Sequence, residues 1–118
     1  MSFMNMDVRW LAGFFDGEGQ IAKFYGTVSI TQKDITVLED IQREYGGKFI
    51  KTGPKRDAWY LSFSTAEQLR FLKDILPYLR IKNERAIRRI KYLEACKEIG
   101  VLGRNYGKNG PRIRDYQF

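Results

Sequence analysis

Apolar residues recur at helical spacing in four stretches of this chain. Asp7 is expected to cap the first helix, which carries apolar residues to about Phe15 and ends at the glycines that follow. Asp34 is expected to cap the second helix and Thr65 the third. The periodicity therefore predicts helices over residues 7–15, 34–45, 65–76 and 83–99.

Between these helices, apolar and polar residues alternate with the period of β-strands. One hairpin is predicted from 21–25 and 27–32, with Gly26 at its turn, and a second from 48–52 and 58–64 across the segment GPKRD. Two hairpins interleaved with helices can join into one four-stranded antiparallel sheet that the helices cover on one face. The chain is therefore predicted to be a single α+β domain.

The composition adds a strong positive charge to this picture. In 118 residues, 21 Lys and Arg stand against 14 Asp and Glu, which gives a formal net charge of +7. Such a surplus favours a nucleic acid or an anionic membrane as partner. No apolar run approaches the roughly 20 residues of a membrane span, and no signal-peptide pattern opens the chain. We therefore expect an intracellular protein with a nucleic-acid partner and no membrane partner.

The sheet face away from the helices is expected to carry short polar groups, one charge and one aromatic ring. Its predicted members are Thr27, Ser29, Thr31, Lys51, Tyr60 and Ser62. A solvated outer face has a similar composition, so both a solvent-facing and a DNA-facing role stay open. No carboxylate occurs among these residues although the chain holds 14 Asp and Glu, and this favours a DNA-facing surface.

Two residue types restrict the available chemistry by their scarcity. The chain has no histidine, which excludes histidine general bases, histidine metal ligands and Ser-His or Cys-His nucleophiles. Its single cysteine, Cys96, excludes an intrachain disulfide and a cysteine zinc site, and its helical position predicts a buried thiol. Any catalysis therefore uses carboxylates, Lys, Arg, Gln, Asn, Tyr or a metal ion.

The segment WLAGFFDGEG, residues 10–19, places two carboxylates at the expected end of the first helix. Asp16 and Glu18 lie among glycines there, where the unpaired carbonyl groups of the helix C-terminus concentrate partial negative charge. Such a position repels anions and suits a divalent cation. In a strongly basic chain, a cation site and a polyanionic partner are therefore suggested together.

Three segments carry a resemblance to a known family. LAGFFDGEG at 11–19 closely resembles the signature of the LAGLIDADG homing endonucleases. SITQKD at 29–34 and PYLRIKN at 77–83 resemble the segments that close the family's second strand and precede its last long helix. The resemblance implies an αββαββα homing-endonuclease fold, with one endonuclease domain over 1–102. Residues 103–118 show no hydrophobic period and contain glycines and basic residues, so they are predicted to form a basic, flexible C-terminal tail.

The resemblance also implies a function, the site-specific hydrolysis of both strands of DNA with a divalent metal ion, as in intron homing. By resemblance, Glu18 is a catalytic metal ligand and the backbone carbonyl of Gly17 a neighbouring ligand. Gln32 matches the position that holds water near the metal, and Lys82 matches the basic residue beside the scissile phosphate. Oxygen ligands of this kind favour Mg²⁺, for which Mn²⁺ can substitute. Asp16 is expected at the helix-pair interface or as a cap of the turn, with metal contact as an open alternative.

Active assemblies of the family contain two such helices, and this chain has one, so the resemblance implies a homodimer on a palindromic or near-palindromic site. Small residues at Ala12 and Gly13 would let two copies of the first helix approach closely. Alternatively, Gly13 packs beneath the chain's own sheet. The expected interface residues are Leu11, Ala12, Gly13, Phe15 and Asp16.

Double-stranded DNA is expected to lie along the sheet, whose strands would enter the major groove. The candidate contacts are Phe24, Thr27, Ser29, Thr31, Lys33, Lys51, Lys55, Arg56, Tyr60, Ser62 and Arg80. The last helix adds a basic group that is either its solvated face or a further contact, formed by Arg85, Arg88, Arg89 and Lys91.

Two rival functions stay open. A relative that lost cleavage would act as an RNA maturase or a DNA-binding regulator, although such relatives commonly lose the acidic residue that Glu18 retains here. RNA binding is compatible with the charge of the chain but less favoured. A metal-free module would instead bind acidic proteins through its basic faces.

Overall fold

The computed structural model describes residues 6–23, 26–51 and 58–99, in which helices and strands alternate in the predicted order. The elements are α1 (Val8–Glu18), β1 (Gly19–Ile21), β2 (Val28–Gln32), α2 (Ile35–Tyr45), β3 (Lys48–Lys51), β4 (Trp59–Phe63), α3 (Thr65–Ile75), a short 3₁₀ helix (Leu76–Tyr78) and α4 (Asn83–Glu98). The predicted α+β class and αββαββα order are confirmed. None of the described helices combines the length and the apolar character that crossing a membrane requires. The predicted tail over 103–118 lies outside the described residues.

All four strands join in one antiparallel sheet, as predicted, and their order is β1-β2-β4-β3. The predicted first strand over 21–25 is wrong in its bounds, because β1 covers Gly19–Ile21. The central pair aligns Ile30 with Leu61 and Thr31 with Tyr60, so successive residues alternate between the two faces. Ile30 and Leu61 are fully buried and belong to the core between sheet and helices. The other face of the sheet carries none of the described helices and holds Thr31 and Tyr60.

Aromatic rings fill the layer between helices and sheet. The Phe71 ring of α3 stacks on Phe63 at a centroid distance of 4.5 Å and meets the Phe15 and Tyr45 rings edge-on at 5.3 and 5.2 Å. The Cys96 thiol is free and buried, as predicted. Because α1 packs into this core through Phe15, the C-terminal end of α1 is fixed against the sheet.

Helix α1 extends beyond its predicted end near Phe15 and includes Asp16, Gly17 and Glu18. A glycine costs a helix interior about 1 kcal/mol, but the burial of Phe15 and Asp16 holds this last turn in place. Gly19 then ends the helix, and its N–H donates to the Phe15 carbonyl. A side chain at Gly19 would overlap the Phe15 ring, so close packing requires glycine there.

The helix caps are largely those predicted. Asp7 caps α1 and Asp34 caps α2. At α3 the prediction is wrong by one residue, because Ser64 rather than Thr65 is the cap. The Glu67 N–H donates to Ser64 Oγ at 3.3 Å, and the Ser64 N–H donates to Glu67 Oε1 at 2.8 Å. This reciprocal pair satisfies two backbone donors, which favours Ser64 over its neighbour.

Candidate active site and sheet surface

The C-terminal turn of α1 exposes Gly17 and Glu18 to solvent. Glu18 is the last residue of the helix, where its carboxylate adds to the partial negative charge of the terminal carbonyl groups. The described residues contain no group of three or more His, Cys, Asp or Glu side chains that could hold a metal ion. One copy of the chain therefore offers a cation one exposed carboxylate and main-chain oxygens at this position.

Asp16 has a different environment, because its side chain is only 9% exposed and contacts a turn distant in sequence. Its Oδ2 accepts the backbone N–H of Arg80 at 2.8 Å, and its Oδ1 accepts those of Ile81 and Lys82 at 3.1 and 3.0 Å. The Lys82 Nζ donates in turn to the Asp16 carbonyl oxygen. Both carboxylate oxygens thus accept backbone N–H groups of the turn before α4. Of the roles expected for Asp16, this arrangement corresponds to the capping of a turn.

Charge and hydrogen bonding hold Asp16 and Lys82 together at the end of α1. Burial alone would raise the pKa of the Asp16 carboxyl, but the three backbone hydrogen bonds and the charge of Lys82 outweigh it and lower the pKa below its ordinary value. The Lys82 ammonium lies at the negative end of the α1 dipole, which favours a cation. Because Glu18 follows Asp16 by two residues, the structure brings Glu18 and Lys82 to the same end of α1.

Gln32 is the last residue of β2, at the edge of the sheet where α1 ends and β1 begins. β1 begins at Gly19, which aligns with Ile30, so Gln32 lies two residues beyond the start of β1. Its alignment with Trp59 puts it on the helix-covered face, and its Oε1 accepts the N–H of Lys33 at 2.9 Å. The residues predicted to be catalytic therefore share one end of the molecule, although their sequence positions are far apart.

The sheet face without helices, called the open face below, carries two rows of side chains across the strands. The first row consists of Gln20, Ser29, Ser62 and Lys48, and the second of Thr31, Tyr60 and Ile50. Four of these seven residues were predicted from the sequence. Gln20, Lys48 and Ile50 were missed, although an alternation counted from the half-buried Phe49 would have found the two in β3.

The prediction that Lys51 lies on the open face is wrong. Lys51 aligns with Trp59 and so lies on the helix-covered side of the sheet. Its Nζ is 4.7 Å from the centre of the Trp59 ring, where the ring face attracts a cation. The strand register decides the face, and a shift of one residue moves every side chain to the other side.

The remaining predicted DNA contacts divide into two groups. Thr27, Lys33 and Arg80 are exposed and lie outside the strands. Three further candidates, Phe24, Lys55 and Arg56, lie outside the described residues.

The alternative that the basic group of α4 forms a solvated face is wrong for Arg89, which is only 2% exposed. The Arg89 guanidinium donates to the carbonyls of Ala22 and Gly26 and, at 3.0 Å, to Gln68 Oε1. Gln68 is also buried and donates to the Gly26 carbonyl at 3.2 Å. Burial lowers the pKa of Arg89 to about 10, which still leaves it protonated at neutral pH. Arg89 and Gln68 thereby anchor both ends of the β1–β2 connection.

The exposed face of α1 presents Trp10, Gly13 and Gly17, at the i, i+3 and i+7 spacing of one helix face. Apart from α1 itself, nothing in the described chain lies within 4 Å of a Cβ atom placed at Gly13 or Gly17, so the alternative that Gly13 packs beneath the sheet is wrong. Trp10 is 49% exposed and stacks on Phe14 at a centroid distance of 5.1 Å. This face therefore offers two glycines beside a large aromatic surface.

The predicted interface is wrong for the residues on the opposite side of α1. Leu11, Ala12 and Phe15 are fully buried in the core of the chain itself. Their side chains already pack against the sheet and the other helices, so they cannot also face a second copy. Of the residues expected at the interface, Gly13 is the exposed one.

Comparison with known proteins adds a family match and a set of structural neighbours. A family model described as a LAGLIDADG-like domain matches residues 5–90. One neighbour is the homing endonuclease I-CvuI, in complex with the I-CreI target in the presence of magnesium, with the DNA not cleaved. It is 24% identical to this chain at a TM-score of 0.63, and the match covers 80% of this chain and 71% of that one. Its complex with its own target and calcium is 20% identical at a TM-score of 0.62, covering 92% and 90%.

The archaeal intron-encoded homing endonuclease I-Vdi141I, complexed with DNA, is 19% identical at a TM-score of 0.62 and covers 77% of this chain and 69% of that one. No curated protein matches the chain. The family match covers nearly all of the described helices and strands, and the structural neighbours share their αββαββα arrangement. The chain therefore belongs to the LAGLIDADG-like domain family and has the homing-endonuclease fold.

Proposed function

We propose that this chain is a site-specific double-strand DNA endonuclease that hydrolyses phosphodiester bonds with a divalent metal ion, as in intron homing. The observation that carries the proposal is that an exposed Glu18 lies in the last turn of α1, where the Lys82 ammonium donates to the Asp16 carbonyl. A carboxylate suited to a cation and an ammonium suited to a phosphate are thus held at the same end of one helix. The DNA complexes of the homing endonucleases that the chain resembles support the same substrate.

The active assembly that we propose is a homodimer. Gly13 and Gly17 lie on the exposed face of α1, four residues apart, and nothing in the described chain fills the space above them. Two helices can approach closely where small residues repeat at this spacing. The half-exposed Trp10 would gain burial at the edge of the same contact. A two-fold axis beside α1 would bring the two Glu18 residues together.

The donor set at Glu18 fits a hard divalent cation in such a dimer. Each copy supplies one exposed carboxylate and the carbonyl of Gly17, and Mg²⁺ or Mn²⁺ prefers oxygen ligands of this kind. Two neighbouring carboxylates repel each other, and a bound cation removes that cost. A bound metal supplies a water of lowered pKa and relieves charge on the phosphate. The I-CvuI structures with magnesium and with calcium support this assignment.

The other residues at this end of the molecule have separate tasks in the proposed reaction. The Lys82 ammonium offsets the negative charge that develops on the scissile phosphate. The Gln32 amide, at the end of β2, orients water on the same side of the sheet. Arg80 and Lys33 are exposed nearby and offer cations to the phosphates that flank the cleaved bond.

DNA recognition is assigned to the open face. Its accessible side chains include an amide, the hydroxyls of Ser62 and Thr31 and a phenol, which can donate to and accept from base edges in the major groove, whereas Ser29 is only 6% exposed. Ile50 is 44% exposed among them and suits the methyl group of thymine. Because a dimer presents this face twice about a two-fold axis, the proposed target is palindromic or near-palindromic.

Selection of bound and cleaved sites from a random DNA library, in Mg²⁺ or Mn²⁺ and in EDTA, tests the proposal. We expect cleavage of a selected site with either metal and none in EDTA. Glu18→Gln removes the charged ligand but keeps the shape, so it should slow cleavage on the order of 10²-fold or more and change DNA affinity little. Glu98→Gln, on the exposed end of α4, serves as the matched control and should cut like the wild type.

Two outcomes would contradict the proposal. A selected DNA that is bound tightly and never cut in Mg²⁺ or Mn²⁺ would favour a cleavage-deficient relative, such as an RNA maturase or a DNA-binding regulator. Equal cutting by wild type and Glu18→Gln would move the metal site away from the end of α1.

A further inference from the structure

We propose that Asp16 is a positioning residue that fixes Lys82 for cleavage, an inference that rests on the proposed function. The Asp16 carboxylate accepts three successive backbone N–H groups, those of Arg80, Ile81 and Lys82, at 2.8, 3.1 and 3.0 Å. The Lys82 Nζ also donates to the Asp16 carbonyl. One residue of α1 therefore holds both the main chain and the side chain of Lys82.

The turn that carries Lys82 follows the buried Leu79, and the Lys82 carbonyl accepts the Ala86 N–H, but the residues of the turn themselves are not buried in the core. Ile81 is 74% exposed and Arg80 is exposed, so apolar burial does little to fix either of them. Lys82 is the N-cap residue of α4, and its side chain makes no capping hydrogen bond. Successive N–H groups that converge on one anion form a concave site for negative charge, and here the Asp16 carboxylate fills it. The orientation of the turn therefore depends on that carboxylate.

This arrangement links Glu18 and Lys82, the two charged groups of the proposed reaction, through the last turn of α1. Asp16 and Glu18 belong to the same last turn of α1, so whatever Asp16 holds is held at a constant position relative to Glu18. A displacement of about 1 Å in a catalytic group can cost on the order of 10²-fold in rate. Loss of the Asp16 contacts should therefore lower the cleavage rate through Lys82, without loss of a DNA contact.

A double-mutant cycle tests this coupling with Asp16→Asn, Lys82→Met and the double variant. Asn keeps the shape but replaces one acceptor oxygen by a donor, which cannot accept these N–H groups. We expect Asp16→Asn to lower the single-turnover cleavage rate at saturating DNA about tenfold or more, with DNA affinity within about threefold of wild type. The double variant should cut no slower than Lys82→Met, within about threefold, because both changes remove the same contribution.

Two further variants separate this role from charge and from folding. Asp16→Glu keeps the charge but moves the carboxylate by one methylene, so it should show the same selective loss of rate. Asp40→Asn, on the exposed side of α2, removes an equal charge elsewhere and should cut like wild type. If Asp16→Asn fails to fold, the cycle is carried out with Asp16→Glu.

Amide hydrogen exchange gives a readout that needs no cleavage. The backbone N–H groups of residues 80–82 should exchange about tenfold faster or more in Asp16→Asn than in wild type, with the amides of β2 and β4 unchanged. Losses that multiply in the double variant, or unchanged exchange at 80–82, would overturn the positioning role while leaving the nuclease intact. A wild type that cuts no selected DNA would instead overturn the proposed function, and this inference with it.

Discussion

At the scale of single residues, two carboxylates two positions apart have opposite environments. Glu18 is exposed at the end of α1, whereas Asp16 is buried and accepts three backbone N–H groups. The family resemblance assigned metal binding to Glu18 and the helix-pair interface or a turn cap to Asp16, but the sequence around them does not show which of the two is buried. The distinction comes from a turn 64 residues further along the chain, which only the folded structure brings to Asp16.

The Asp16 contacts predict a pH dependence of stability. The pKa of Asp16 is lower in the folded chain than its ordinary value of 3.8, so its carboxylate stabilises the fold fully above that value. This contribution is lost as the pH falls through the folded pKa, because the protonated group no longer accepts all three N–H groups. We expect Asp16→Asn to be less stable than wild type at neutral pH and this difference to shrink below about pH 4, measured by urea unfolding. A difference that stays constant into the acid range would contradict it.

At the scale of elements, local signals determine where helices and strands lie, and long-range pairing determines what they present. The caps Asp7 and Asp34 act within one helical turn, which is why the sequence suffices to find them. The face of Lys51 depends on the register of β3 against β4, and the burial of Arg89 depends on carbonyl groups of the β1–β2 connection. Neither signal is present in the local sequence.

The Arg89 contacts predict an asymmetry between two neighbouring arginines of α4. Arg89→Met should destabilise the fold by about 2 kcal/mol or more, because it removes a donor from the buried Gln68 side chain and from the partly buried carbonyls of Ala22 and Gly26. Arg88→Met, at an exposed position next to it, should change stability by less than about 0.5 kcal/mol. Chemical denaturation of both variants provides the comparison, and equal effects would show that the guanidinium contacts carry no net stability.

At the scale of the whole molecule, the outer surface of α1 and the open face are two regions of the described chain that a single copy leaves uncovered. The sequence motif indicates the first because small residues lie next to apolar ones, but it cannot tell which of them face outwards. Packing decides this, since Leu11, Ala12 and Phe15 fill the core and leave Gly13 outside. The family resemblance supplied the expectation of a dimer, and the exposed glycines supply its physical basis.

Gly13→Leu tests the proposed dimer contact. The wild type should sediment at micromolar concentration with about twice the 13.9 kDa mass of one chain, and the variant with the mass of one chain. Nothing in the described chain obstructs a side chain at Gly13, and leucine is the better helix former, so the separated subunit should stay folded. Ala66→Leu, on the exposed side of α3, adds the same bulk elsewhere and should leave the mass unchanged. A wild type that sediments as one chain would contradict the contact.

The separation between Asp16 and the turn at Arg80–Lys82 also has a consequence during protein synthesis. The ribosome delivers the acidic end of α1 early and the basic turn only after most of the remaining elements have been made. A prematurely terminated polypeptide that ends before this turn would carry Glu18 with no lysine docked at the same end of α1. Under the proposed function, abortive translation products would therefore be unable to nick the chromosome of the cell that makes them.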